Sequence, residues 1–460
     1  MELSAYNNLK YFRMNNIFKI KKLEGNKKDI FINVLWAMLG KIVNMFAALF
    51  VGILIARYLG PENYGVMNYV ISYVTLFSVI ATFGLSNIEV RELSRTPDKK
   101  NELLGTCFTI RFVFTTIAYL AIVATVYIFD TDSFTKAMIM LYGLSLYATS
   151  CFEVIRNYFT SIVKNEYVVK SEIARTLIGV SLKVVLLLMH APLWGFIAAM
   201  AFDTVLVASG YVISYKTVVG PLRDWHFDSS IVKYIISQSF PLLLSGAAVI
   251  IYQRIDQVMI GNMIDKEYVG YFATACKFLD IILFLPMVLT QTVTPIIVKA
   301  KRDGTCLEYE KKSYQFVSIV VWMSIVVSLI FSVFSYPMIR YSYGVQYLTA
   351  VPVLQIMAWK TVGMAISTAG GQLIIIEKLQ KWAVLRNLLG CVVCITLNLI
   401  LIPKNGIIGS AFVTIVTVFV SGFLANYLIP PYRHIFMIEC KALVFGWKEL
   451  KYLKSLVCLK

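Results

Sequence analysis

The sequence predicts an all-α integral membrane protein: twelve transmembrane helices arranged as two related six-helix bundles. Three observations carry that prediction. Of 460 residues, 58% are hydrophobic and only 15% charged, far below the charged share of a soluble chain this long. Apolar runs of twenty or more residues recur throughout, each able to cross about 30 Å of hydrocarbon, and none alternates with the period of a strand. The third is a repeat. The stretch Asn33–Arg95 overlays Ser237–Lys299, to within one residue at its ends, at an offset of 205 positions, placing Ile55 on Ile260, Glu62 on Glu267 and Gly65 on Gly270.

Taken in order, the spans fall near 30–56, 66–87, 104–129, 135–157, 171–190, 192–215, 233–262, 267–298, 314–339, 347–376, 382–402 and 407–430. Breakers mark several ends: Gly60-Pro61 after the first, Pro403 after the eleventh, Pro430-Pro431 after the twelfth. Pro241, Pro286 and Pro295 lie within spans seven and eight, where they permit bending or a fixed kink.

The cations test this topology. With the N-terminus in the cytoplasm, inner segments hold 31 Lys and Arg and outer loops only five, Arg57, Lys136, Lys266, Arg340 and Lys404. So lopsided a split sets both termini inside and supports an even number of spans. The parts are then a basic cytoplasmic tail (1–29), an N-terminal bundle (30–215), a linker (216–232), a C-terminal bundle (233–430) and a cytoplasmic tail (431–460). In the first tail, Leu9, Phe12, Ile17 and Ile20 fall on or near one helical side, as suits either a membrane-surface helix or a disordered tail. In the last, Leu443, Trp447 and Leu450 follow helical spacing among lysines, which fits an interfacial helix on an anionic leaflet.

The net charge of +17 does not indicate nucleic acid, because no basic soluble domain is present to hold it. Cys391 and Cys394 form a C-x-x-C inside an apolar helix and read as small buried hydrophobes. His190, His226 and His434 are scattered without metal-ligand spacing. No phosphate-binding P-loop, G-x-S-x-G or H-E-x-x-H occurs, so the chain reads as neither an ATPase nor an enzyme, with no cofactor and no metal.

Seven cations nevertheless sit inside spans: Lys41, Arg111, Lys183, Arg254, Lys277, Lys360 and Arg386. Facing lipid, they would cost roughly 17–25 kcal/mol together, so most must pair, snorkel or face water. Away from the span ends only four acids accompany them: Glu153, Asp203, Asp256 and Asp280. Lys277 and Asp280 share a helical face and can pair, as can Glu153 and Arg156. Arg254 and Asp256 point apart and need partners elsewhere. Arg111 and Arg386 lie near an inner boundary, where snorkelling is an equal alternative, and Lys183 can face a neighbour's carbonyls. The surplus implies a cation-rich, hydrated cavity fit to hold an anion, with Lys41, Arg254, Asp256, Lys277 and Lys360 as its lining.

Four motifs carry a family resemblance: ILIARYLGPENYGVMNYVIS at 53–72, GLSNIEVRELSR at 84–95, RIDQVMIGNMIDKEYVGYFATACKFLD at 254–280 and YGVQYLTAVPVLQIMAWK at 343–360. In that order, over residues 30–430, the chain resembles the Wzx-type polysaccharide biosynthesis flippases of the multidrug/oligosaccharidyl-lipid/polysaccharide (MOP) exporter superfamily. The resemblance implies a MATE-like pair of bundles related by an axis along the membrane normal. It implies alternating access in a bacterial inner membrane, turning an undecaprenyl-diphosphate-linked oligosaccharide to the outer leaflet for O-antigen, capsule or exopolysaccharide. Its partners would be that lipid-linked sugar, membrane lipids and other polysaccharide assembly proteins. Lys41, Arg254, Lys277, Lys360 and Arg111 are then the substrate-binding candidates. Asp256 and Asp280 would orient these cations or bind a coupling ion, H+ or Na+. The membrane potential is a further driving force, worth about 4–5 kcal/mol for two negative charges moved outward across 100 mV.

Rival readings remain. A cation-coupled drug exporter of the same superfamily would want a cavity dominated by acids. A membrane polymerase or ligase would want a large outer loop, and a scaffold would leave the intramembrane cations unexplained.

Overall fold

The computed structural model describes residues 25–129 and 132–452, with the backbone alone for some of them, Lys41 included. The predicted amphipathic side of the first tail lies outside the described residues. Among the described residues there is no strand, and helices follow one another almost without pause.

The run Gly25–Thr82 is two helices, α1 (25–59) and α2 (61–82), folded back at Gly60. There φ is 73° and ψ 171°, a conformation open to glycine, and Pro61 opens the next helix with its φ already set. α3 (Ser86–Arg95) is short, and α4 (Lys100–Phe129) is the third span. The fourth is α5 (Ser133–Gly143) joined to α6 (Glu153–Ser161) through a wide turn at Tyr147–Cys151. α7 (Asn165–Leu188) and α8 (Leu193–Val218) complete the first half.

The second half opens with α9 (Ser229–Met263) and α10 (Lys266–Ile282), the latter breaking at Leu283 before α11 (Phe284–Asp303). That break falls just ahead of Pro286, whereas Pro241 and Pro295 lie inside continuous helices. α12 (Cys306–Ser342) follows, then α13 (Ala350–Met357) with α14 (Lys360–Ile376). The run Ala383–Phe419 is a second hairpin, α15 (383–405) and α16 (407–419), turned at Gly406. α17 (Arg433–Phe445) ends the described fold. The repeat predicted from sequence has its counterpart here: the α1–α2 turn at Gly60 and the α9–α10 turn at Asp265 are 205 positions apart.

Apolar burial divides the molecule into three clusters. One draws on both halves, from Val51, Tyr64 and Tyr73 to Ile260, Phe278, Tyr347 and Ala411, at the end predicted to face outward. At the opposite end the core splits. One cluster holds Leu104, Phe159 and Tyr215 of the first half, the other Phe316, Ile366 and Ile435 of the second. Ile235 and Leu243, in the first part of α9, pack with the first-half cluster. The halves are therefore sewn together at one end and separately cored at the other. This leaves room for a cavity between them.

Candidate substrate site

The seam at the predicted outer end is built by the repeat itself. Gly65 on α2 and Gly270 on α10 are equivalent positions, and they meet. A Cβ on Gly65 would overlap the Lys266 carbonyl, and one on Gly270 would overlap the Pro61 carbonyl. Only glycine permits two backbones so close. Around them Tyr64, Tyr271, Tyr343 and Tyr347 pack ring to ring, with centroids 5.4–6.5 Å apart. The Tyr347 hydroxyl donates to the Ala56 carbonyl at 2.7 Å, the Tyr69 hydroxyl to Asn262 Oδ1 at 2.7 Å, and Ser72 Oγ to Gln257 Oε1 at 2.7 Å.

Below this seam the predicted charges gather, though not as pairs. Arg254 and Asp256 lie on α9, Lys277 and Asp280 on α10, and Lys360 opens α14. Cys276 lies within electrostatic range of Lys360, Asp280, Arg254 and Asp256 at once, and Lys277 within range of Asp280 and Arg254. Three helices thus bring five of the seven candidates into one neighbourhood. Arg254, Lys277 and Lys360 are half-buried, yet among the described residues none makes a hydrogen bond or an ion pair. Lys277 and Asp280 share a face as expected but do not close to ion-pair distance.

The other cations are answered by protein. Arg111 is fully buried, and all five of its N–H groups are taken. Nε and Nη2 donate to Glu89 at 2.7 and 3.0 Å, Nη1 to Glu153 at 2.9 Å and to the Ser150 carbonyl at 3.2 Å, and Nη2 also to Ser86 at 3.0 Å. It does not snorkel, and it has no donor left for a ligand in this arrangement. Asn157 donates to the same Glu89. Lys183 is ion-paired with Asp203 rather than facing carbonyls, and Arg386 donates to Ser367 Oγ at 2.6 Å. The side chain of Lys41 lies outside the described residues.

Asp256 is 3% exposed and forms no ion pair among the described residues. It accepts from Asn398 Nδ2 at 2.6 Å and Thr414 Oγ1 at 2.9 Å, on α15 and α16, and from Cys394 Sγ at 3.3 Å. Asn398 Oδ1 is buried beside it without a partner. Cys394 is therefore more than a small hydrophobe: its thiol is one of the donors on Asp256. Glu89, Asn398 and Thr414 went unseen in the sequence reading. The one available signal was Asn398, an amide deep in the apolar run of span eleven, one turn after Cys394.

A cavity of about 360 Å³ lies in the first half, between α2, the fourth span and α8, its lining part apolar and part hydroxyl-bearing. Tyr142 on its wall lies within electrostatic range of Arg254, so the cavity opens toward the cation cluster.

This helical architecture is shared with solved membrane transporters. The chain is similar over 92% of its length to 96% of "Lipid II flippase MurJ, inward closed conformation", at 16% identity and a TM-score of 0.67. It is similar over 92% of its length to 99% of an inward-facing multidrug resistance MATE transporter of the MOP superfamily, at 14% identity and a TM-score of 0.61. The MATE multidrug transporter DinF-BH matches at 16% identity and a TM-score of 0.63, with 89% of this chain and 96% of that one covered. At such identities the likeness establishes the fold, twelve helices in two bundles. No curated protein sequence matches the chain. The family model described as polysaccharide biosynthesis protein matches residues 30–301, more than half of the chain. The chain belongs to that family, and it is a multi-pass membrane protein.

Proposed function

We propose that this protein is a flippase that carries a prenyl-diphosphate-linked oligosaccharide from the inner to the outer leaflet of a bacterial cytoplasmic membrane, both termini inside, by alternating access. The observation that carries the reading is the contrast among its intramembrane cations. Arg254, Lys277 and Lys360 converge without ion-pair partners, whereas Arg111 and Lys183 are neutralised. Three unanswered cations against Asp256 and Asp280 favour an anionic headgroup, and a diphosphate is the natural partner of Lys and Arg in a confined site. Lys41 remains a candidate from the first half.

Asp256 takes the second role. A buried carboxylate beside the free oxygen of Asn398 and the hydroxyl of Thr414 suits a small coupling cation, Na+ or H+. Oxygen ligands are what Na+ requires, and a lone buried carboxylate is a ready proton acceptor. That same acid supports the runner-up, a cation-coupled drug exporter like the MATE structures. Against it stands the cation cluster, which would repel cationic drugs.

The deciding experiment is deletion followed by lipid extraction. Accumulation of a prenyl-diphosphate oligosaccharide on the inner leaflet is expected. An unchanged lipid pool with lost drug resistance would replace this reading with the runner-up.

A further inference from the structure

The first-half cavity has a chemistry distinct from the cation cluster it adjoins. Its size lies within the range of pockets that hold small molecules. Its wall is rich in hydroxyls, including Thr75, Ser78 and Thr82 on α2 and Thr149 on the fourth span. The hydrogens of these four are already committed. Thr75 donates to the Ile71 carbonyl at 2.6 Å, Ser78 to that of Thr75 at 2.6 Å, Thr82 to that of Ser78 at 3.0 Å and Thr149 to that of Ser145 at 3.1 Å. A hydroxyl has one hydrogen and two lone pairs, so each of these groups turns acceptors toward the void. Tyr211 likewise donates to Glu172 at 3.2 Å. Only Tyr142 and Ser145 keep an uncommitted hydroxyl hydrogen among the described wall residues.

The charges at the edge point the same way. Glu153 lines the cavity while bonded to Arg111, and Arg156, the one cation of the wall, lies 3.9 Å from both Glu153 and Glu172. Apart from Arg156, whose charge is shared between two carboxylates, the wall offers mostly lone pairs and carboxylates. Such a hollow suits a ligand whose surface is donors, a polyhydroxylated or amino-bearing ring. It is poorly matched to a ring carrying a carboxylate, which would meet lone pairs while Arg156 is shared between Glu153 and Glu172 and the Arg254 cluster is engaged by the diphosphate.

We infer that this cavity is the sugar subsite of the cargo, and that it selects neutral or amino sugars over acidic ones at the position that enters it. The inference rests on the flippase reading: the diphosphate sits at Arg254, Lys277 and Lys360, and the first sugars extend past Tyr142 into the hollow.

The test uses the purified full chain in lipid nanodiscs and three synthetic probes. These are a bare prenyl diphosphate, one bearing a neutral disaccharide, and one whose second sugar is the matching uronic acid. The wild type is expected to bind the neutral probe about tenfold more tightly than the acidic one. In a Thr75→Val/Thr149→Val variant that ratio is expected to fall about threefold to tenfold, the size of one or two neutral hydrogen bonds, and Thr75→Ser/Thr149→Ser should restore it. A ratio is read because a merely structural defect would weaken both probes alike. Equal binding of the two heads by the wild type, or a ratio unchanged by the valines, would overturn the subsite while leaving the flippase reading intact. Failure to bind even the bare prenyl diphosphate would overturn both.

Discussion

Each half of the molecule hides cationic side chains, and the two sets differ in what answers them. In the first half Arg111 is fully enclosed, and Glu89, Glu153, Ser86 and the Ser150 carbonyl take every N–H it has. In the second half Arg254, Lys277 and Lys360 stand together, half-buried, with no hydrogen bond or ion pair among the described residues. Burial of a charge therefore does not mark a site by itself. The more deeply buried cation serves the fold, because its donors are used up, and the less buried ones keep theirs for something else.

The contrast is sharpest in stability. Arg111→Ala strands Glu89 and Glu153 without their partner, which typically costs about 3–5 kcal/mol. Thermal unfolding in detergent should show a large loss, or a collapse in folded yield. Arg254→Ala and Lys277→Ala remove cations that no acid holds, so their melting points are expected to stay level or rise. A destabilisation of Arg254→Ala as large as that of Arg111→Ala would erase the distinction.

Transport should invert that order. At matched expression, Arg254→Ala and Lys277→Ala are each expected to lower polymer export at least about tenfold, the effect of losing one charge-assisted phosphate contact. Normal polymer in both variants would remove them from the site.

The seam offers a third, smaller effect. Gly270→Leu cannot fit beside the Pro61 carbonyl, so the two halves should be held apart at that end. With Cys276 as the only cysteine, labelling by an impermeant thiol reagent added from outside is expected to rise several-fold in this variant. Unaltered labelling would mean that the Gly65–Gly270 contact does not close the outer path.

The smallest effect lies in the tail. Glu439 on α17 is fully buried, is held by Asn426 at 2.9 and 3.1 Å and faces Arg386. Burial pushes its carboxyl up to about 8. Between the ordinary carboxylate range and that value the folded protein keeps a proton that the unfolded chain has released, so stability falls as pH rises through the window. Glu439→Gln should flatten that slope, measured as melting temperature from pH 5 to 9. An unchanged slope would mean that another group sets it.

The sequence by itself determined the membrane class, the twelve spans, the repeat and the surplus of intramembrane cations. Those follow from constraints local to the chain: hydrocarbon thickness sets segment length, cation placement sets topology, and Gly60-Pro61 sets a turn. It also singled out Lys41, Arg254, Asp256, Lys277 and Lys360 as candidates for one lining, since a charge in an apolar run stands out wherever it points. Only the tertiary structure decided which of these charges are answered. Arg111 looked like a ligand candidate until Glu89, 22 positions earlier and reading as a polar residue of a loop motif, was carried to it by α3. Asp256 looked like a partner for a cation until α15 and α16 brought Asn398 and Thr414, 142 and 158 positions away, against it. Spacing along one helix says which side chains share a face. Which neighbour meets that face is fixed by the rotation and crossing of packed helices, and no single stretch of the chain contains that information.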